Sequence, residues 1–167
     1  MKIKLEYVLV LLVVFIGIGN SQEKNGSQAP VFEGKTLQGK EIKLADYLGK
    51  VVLIDFWASW CPPCQEEMPE LIKFYKSHSN PDFELIAVNI DNSEENMEHF
   101  IDKLFPKPGF PIIIDNNQQI PSLFDIASMP TTIFIDKKGK IRYWHDGFQK
   151  SFVNDFNQEL SRLLNEK

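Results

Sequence analysis

The chain has 167 residues, of which 43% are hydrophobic and 25% are charged, as in one ordinary globular domain. Its net charge of −5 argues against a nucleic-acid-binding protein, which usually carries a basic excess. Two cysteines, Cys61 and Cys64, are too few for a disulfide-stapled miniprotein or for an all-cysteine zinc site.

The N-terminus has the pattern of an export signal. Two early lysines precede an apolar run at residues 7–18, and an abruptly polar stretch follows Gly19. The run is shorter than the roughly 20 residues that span a membrane, which favours cleavage, with an uncleaved anchor as the alternative. We therefore expect a periplasmic or other extracytoplasmic protein. The predicted signal peptide or anchor, flexible tether and folded domain cover residues 1–19, 20–28 and 29–167.

Strands and helices alternate along the folded domain. A hairpin is expected within residues 31–43, and one helical turn at 44–48. The predicted strands lie at residues 51–57, 83–90, 112–114, 131–135 and 141–144, and the predicted helices at 62–77, 94–104, 121–124 and 152–164. This order predicts an α/β fold whose central sheet is covered by helices on both faces.

The chemistry is concentrated in residues 60–64, Trp-Cys-Pro-Pro-Cys, between the first long strand and the first long helix. Cys61 falls at the helix N-terminus, where free backbone N–H groups and the helix dipole favour a thiolate. Cys64 lies one turn further and can attack the same sulfur. Half of a zinc site or two buried thiols are the alternatives. No third cysteine completes a zinc site, and a strand-to-helix turn is a poor place to bury a thiol, so redox chemistry is favoured.

Pro62 and Pro63 also bear on the direction of electron flow. Neither residue has an N–H to donate to the Cys61 sulfur, so the thiolate depends on the Cys64 N–H and on the dipole. Weaker stabilisation of the reduced form predicts a reducing pair.

Residues 56–64, Phe-Trp-Ala-Ser-Trp-Cys-Pro-Pro-Cys, resemble the active-site signature of the thioredoxin superfamily. The continuation Cys64-x-x-Glu67-x-Pro69 is similar to the exported TlpA/ResA branch, within the AhpC/TSA-redoxin family. The resemblance implies a thioredoxin-like fold: a central mixed sheet with helices on both faces, an N-terminal hairpin and a central strand-helix insert. It covers nearly the whole chain after the tether.

The resemblance assigns two acidic residues to the site. Asp55 matches the buried acid of thioredoxins, where desolvation raises the pKa of a carboxyl group and suits it to take a proton from Cys64. Glu67 matches the active-site glutamate of the TlpA/ResA branch. The alternatives are an Asp55 carboxylate that reaches water at a strand end and a Glu67 exposed on its helix.

The resemblance also places Pro130 where thioredoxin-like proteins carry a cis proline, with a trans proline in a loop as the alternative. The Met129 backbone would then be open to pairing with a substrate. Trp60 and Pro62 would add an apolar docking face, although Trp60 also fits simple packing.

We therefore predict an exported thiol-disulfide oxidoreductase, a reductase, whose only redox group is the Cys61–Cys64 pair. We expect a monomer that needs no metal or other cofactor, and whose partners are protein disulfides and a membrane thiol donor, not nucleic acid. The resemblance adds apo-cytochrome c as a substrate. A peroxiredoxin needs a Thr or Ser three residues before its cysteine, and a Sco-type copper protein needs a Cys-x-x-x-Cys spacing. The chain has neither pattern.

Overall fold

The computed structural model describes residues 24–104 and 108–166. The described residues form seven strands, four α-helices and a short 3-10 helix at Leu44–Tyr47. The strands are β1 (Glu33–Lys35), β2 (Glu41–Lys43), β3 (Val51–Trp57), β4 (Phe83–Asn89), β5 (Ile112–Ile114), β6 (Thr131–Ile135) and β7 (Ile141–Asp146). The helices are α1 (Pro62–Ser77), α2 (Glu94–Leu104), α3 (Gln119–Phe124) and α4 (Phe152–Asn165).

Five strands form the central mixed sheet, in the order β5-β4-β3-β6-β7. Strand β3 lies in the middle, parallel to β4 and antiparallel to β6. Strands β1 and β2 pair with each other as an antiparallel hairpin outside this sheet. The predicted α/β architecture, its N-terminal hairpin and its β5-α3 insert are confirmed.

The two faces of β3 pack against different elements, because successive side chains of a strand point to opposite sides. Leu53 and Trp57 join the core formed by α1, α2 and α4. Ile54 and Phe56 join the core that includes the hairpin and α3. Burial on both faces explains the nearly continuous apolar run of this strand. Asp55, between Leu53 and Trp57, therefore points towards the face that carries α1.

The insert helix begins two residues earlier than the sequence predicts. The carboxyl group of Asp115 accepts the main-chain N–H groups of Gln119 and Ile120, at 3.1 and 2.7 Å. These bonds satisfy N–H groups at the start of α3, a contact that periodicity alone does not reveal. Strand β7 also extends two residues further, to Asp146.

The start of the described chain is hydrogen-bonded to the domain. Gly26 donates its N–H to the carbonyl of Ile141, and Gln28 pairs with Lys140 as an isolated bridge. Residues 24–28, part of the predicted tether, thus contact the β6-β7 hairpin. The predicted signal or anchor, and residues 20–23, lie outside the described residues. No helix in the described ranges has both the length and the apolar character needed to cross a membrane.

Candidate active site

Cys61 and Cys64 form a disulfide bond at the N-terminus of α1, with their Cα atoms 5.3 Å apart. Cys61 is the N-cap residue in an extended conformation, and Pro62 and Pro63 occupy the first two helical positions. Prolines fit there, because their missing N–H groups would have no partner inside the helix. The Cys64 N–H lies 3.3 Å from the Cys61 sulfur and donates to it. The expected contact between the Cys64 N–H and this sulfur is thus present in the disulfide form.

Cys61 is more buried than we expected from its place in a strand-to-helix turn. Cys61 is 4% exposed and Cys64 is 1% exposed, and both join the core under α1. The expectation that this turn leaves Cys61 open to solvent is therefore wrong for the disulfide form. The reason is that the turn folds back onto apolar side chains, including Trp57 and the half-buried Met129.

The proposed docking residues surround this turn. The Trp60 side chain is 60% exposed, and Pro62 is exposed at the start of α1. The Met129–Pro130 peptide bond is cis, as the resemblance predicted. Pro130 is buried, and its carbonyl accepts the N–H of Gly147 at 2.8 Å. An exposed tryptophan beside a sparingly exposed disulfide gives an incoming protein an apolar surface to contact.

Asp55 and Glu67 are buried carboxyl groups on the α1 side of the sheet. Asp55 is 0% exposed and Glu67 is 1% exposed, which rules out the alternatives of a hydrated strand end and an exposed helix acid. Burial raises the pKa of Asp55 to about 8. Burial and the nearby Asp55 raise the pKa of Glu67 well above its ordinary value, opposed by a hydrogen bond from Thr132.

Thr132 is a site residue that the sequence analysis missed. Its hydroxyl donates to Glu67 Oε1 at 3.0 Å, and its Cα is the cross-strand partner of Asp55 in the β3-β6 pairing. One threonine thus links the two acids. Its position two residues after Pro130 is the signal that could have found it, since the side chains of β6 alternate between the two faces.

A second missed residue, Asp91, fixes the turn that precedes the cysteines. Its carboxyl oxygens accept the N–H of Ser59 at 3.1 Å and the Ser59 hydroxyl at 3.1 Å. The Asn89 side-chain amide donates to the same carboxyl group at 2.9 Å, and the Gln65 amide donates to the Ser59 carbonyl at 2.6 Å. Asp91 is 1% exposed, so the bonds to its own carboxyl group are partly or fully shielded from water. They tie the end of β4 to the turn that carries Cys61.

One histidine of the sheet is paired with an acid of the last helix. His145 on β7 contacts Glu159 of α4 through its Nε2 atom at 2.8 Å. Within residues 24–104 and 108–166, no three His, Cys, Asp or Glu side chains come together as a potential metal site.

Comparisons with known proteins place this geometry among thiol-disulfide oxidoreductases. Residues 25–144 match the model of the AhpC/TSA family. A thiol-disulfide oxidoreductase ResA from Geobacillus kaustophilus is 34% identical over 143 residues, covering 80% of this chain and 81% of the relative.

Solved structures give the same result. One described as a thiol:disulfide interchange protein DsbE from Chlorobium tepidum is 32% identical, with a TM-score of 0.78, and the match covers 84% of this chain and 98% of that one. The exposed lipoprotein thioredoxin Etrx1 from Streptococcus pneumoniae is 30% identical, with a TM-score of 0.70 and coverage of 80% and 100%. These similarities favour disulfide exchange over peroxide reduction or copper delivery.

Proposed function

Because the chain belongs to the AhpC/TSA family and is a thiol-disulfide oxidoreductase, we propose that it is an exported reductase that transfers electrons to disulfides of other proteins. The observation that carries this proposal is the pairing of the Cys64 N–H with the Cys61 sulfur at a helix start that has two prolines. The thiolate of Cys61 receives one backbone donor there and part of the helix dipole. The single N–H donor and the dipole are enough to activate the thiolate, but together they stabilise the reduced form only weakly.

The reaction has two exchange steps. The Cys61 thiolate attacks one sulfur of a substrate disulfide, forms a mixed disulfide and releases the other substrate sulfur as a thiolate, which takes up a proton. Cys64 then loses its proton and attacks the Cys61 sulfur, which breaks the bond to the substrate. The Cys61–Cys64 disulfide forms, the substrate gains two electrons and leaves as a dithiol, and an external dithiol donor later reduces the pair.

Asp55 and Glu67 are the proposed proton acceptors for the second step. A buried carboxyl group with a raised pKa has an affinity for protons closer to that of a thiol than an exposed acid has. Proton transfer from Cys64 therefore costs less than transfer to a solvent-exposed carboxylate.

The substrate is proposed to dock over Trp60, Pro62 and the Met129 backbone. An open groove of about 540 Å³ adjoins the same turn, and Ser59, Gln65 and residues of α2 line it. An extended peptide that lies across Trp60 can reach this groove without displacing the buried turn. The interaction requires one copy of the chain, in keeping with a monomer.

Export and partner identity rest on the N-terminal pattern and on the resemblance. The apolar run at residues 7–18 has the length of a signal sequence, and one structural relative is described as an exposed lipoprotein. In an oxidising compartment a reducing dithiol needs a continuing supply of electrons, which a membrane thiol donor would provide. Apo-cytochrome c, whose cysteines must be reduced before haem attachment, is the proposed substrate.

The reduction potential tests the direction of electron flow. Equilibration with glutathione should give a value nearer to that of thioredoxin, about −270 mV, than to that of DsbA, about −120 mV. A value above about −180 mV, the range of disulfide isomerases, would overturn the assignment as a reductase.

Two proline variants test whether the missing proline N–H groups are the reason that the cysteine pair is reducing. Pro63→Ala restores an N–H at the second helical position, which can donate to an N-cap side chain, and should make the pair more oxidising. Pro62→Ala restores an N–H at the first position, which does not reach the cap side chain, and is the matched control.

A further inference from the structure

The two buried acids lack the partners that usually stabilise a buried charge. Both oxygens of Asp55 and the Oε2 atom of Glu67 find no hydrogen-bond donor among the residues that the structure describes. No lysine or arginine in that part of the chain forms an ion pair with either acid. Two unpaired carboxylates, both buried and close together, would be very costly, so the pair must retain at least one proton over a wide pH range.

Thr132 distinguishes the two oxygens of Glu67. Its hydroxyl donates to Oε1, which leaves Oε2 as the unpaired oxygen. Because Thr132 is also the cross-strand partner of Asp55, one side chain sets the position of the Glu67 carboxyl group relative to the Asp55 strand.

We propose that Asp55 and Glu67 act as a single proton-holding site, which keeps at least one proton between them at neutral pH, with Thr132 as the positioning residue that orients it. This inference rests on the proposed function and deepens it. The question is no longer which of two acids serves Cys64, because the pair accepts the proton as a unit. When the site holds one proton, its free carboxylate can accept another, and the protonated carboxyl group limits the negative charge in the core.

Few other ionisable groups face this site. Helix α1 contributes the two cysteines, which do not titrate in the disulfide form. On β4 the neighbour of Asp55 is Ala87, which carries no charge. On β7 the neighbour of Thr132 is His145, which is paired with Glu159 of α4. The His145–Glu159 pair is therefore the next ionisable pair along the register of the sheet.

The proton balance of the second exchange step follows. The thiol of Cys64 gives its proton to the pair, which then holds two protons, and the Cys64 thiolate attacks Cys61. The departing substrate sulfur takes one proton back from the pair, which returns to one proton. No oxidant or reductant is needed beyond the substrate disulfide and the dithiol.

The test is a carboxyl titration of the full-length oxidised protein, labelled with carbon-13 at the aspartate and glutamate carboxyl groups and followed by NMR. In the wild type, both carboxyl carbons should report the same two titration steps, separated by more than about one pH unit. In Asp55→Asn and in Glu67→Gln, the one remaining acid should titrate in a single step, at a pH between the two wild-type steps. If the remaining acid titrates where it does in the wild type, the two are independent and the proposal is wrong. Two steps below neutral pH would also overturn it, because the pair would then hold no proton at neutral pH.

Thr132 variants test the positioning role. Thr132→Val removes the donor with little change in volume and should move the lower step to higher pH, whereas Thr132→Ser should restore it. Equal titrations in all three proteins would refute this role. His145→Gln is the control for the neighbouring pair and should leave two steps. Because the oxidised protein is titrated without substrate, the result does not depend on whether the protein reduces disulfides, which the potential measurement decides.

Discussion

The carboxyl group of Asp91 holds Ser59 by both its main-chain N–H and its hydroxyl, although the two residues are 32 positions apart in the sequence. Ser59 lies two residues before Cys61, in a turn that regular hydrogen bonding of strand or helix does not fix. Asp91, two residues beyond β4, thus holds the turn that leads to Cys61.

Asp91→Asn should weaken this attachment. The amide has one acceptor oxygen where the carboxyl group has two. Its NH₂ group is a donor and would face other donors, from Ser59 or Asn89, that now bond to the carboxyl group. We expect unfolding to become easier by about 1–3 kcal/mol and the first attack by Cys61 to slow by about tenfold. Stopped-flow reduction of a model disulfide and denaturant unfolding measure the two effects.

Ser59→Ala is the matched control for this prediction, because it removes the hydroxyl and keeps the N–H. Its loss in stability should be about 0.5–1.5 kcal/mol, with a smaller effect on rate. Wild-type kinetics in Asp91→Asn would show that the turn is held by other contacts.

In the reduced protein, Cys61 should react with iodoacetamide on the order of tenfold faster than Cys64, because the thiolate is the reactive form. Cys61 receives the Cys64 N–H and the helix dipole, while Cys64 lies inside the first turn. Mass spectrometry of the labelled peptides at several reaction times measures both rates. Since both sulfurs are nearly buried in the disulfide form, equal rates would mean that access, not thiolate character, controls reactivity.

The sequence predicted the fold well because most of its elements carry a strong local signal. The apolar run of β3 and the helical periodicity of α1 need no tertiary information, and both bounds of α1 agree with the structure. The start of α3 was missed because it depends on Asp115, a contact across a turn and not a repeat in the helix itself.

The site was predictable only where a motif carries it. The cysteines and Pro130 belong to short patterns, whereas Thr132 and Asp91 act through hydrogen bonds to residues far apart from them in the sequence, Glu67 and Ser59. The burial of Cys61 was also not predictable, because it depends on how the turn packs against side chains from other elements.

The stability of the oxidised protein should fall as the pH rises from about 4, near the ordinary pKa of aspartate, to about 8, the raised pKa of Asp55. Between these two pH values the folded protein binds more protons than the unfolded chain. The stabilisation that the protonated Asp55 contributes is therefore complete below pH about 4 and is lost as the pH rises through about 8. The expected loss is on the order of a few kcal/mol, since each unit of pKa difference corresponds to about 1.4 kcal/mol.

Urea unfolding across this pH range measures that loss. Asp55→Asn should flatten the dependence, because the amide is neutral throughout. Glu67→Gln should reduce the dependence without abolishing it, because burial of Asp55 is the first cause of its raised pKa. A wild-type stability that rises towards pH 8 would mean that Asp55 is ionised in the folded protein.

Cys64→Ala should accumulate mixed disulfides, because Cys61 can still attack but no thiol remains to release the substrate. The variant removes a buried sulfur that is 1% exposed, so the docking surface around Trp60 and Met129 should remain intact. Purification from the exported compartment, followed by identification of the linked proteins, gives the substrates.

The Cys61→Ala, Cys64→Ala double variant is the control and should capture nothing through sulfur. One or two haem-attachment proteins would support the narrow role in cytochrome c maturation, and many unrelated partners would support a general reductase. Without adducts, and with Cys61 accessible to alkylation, neither role would stand.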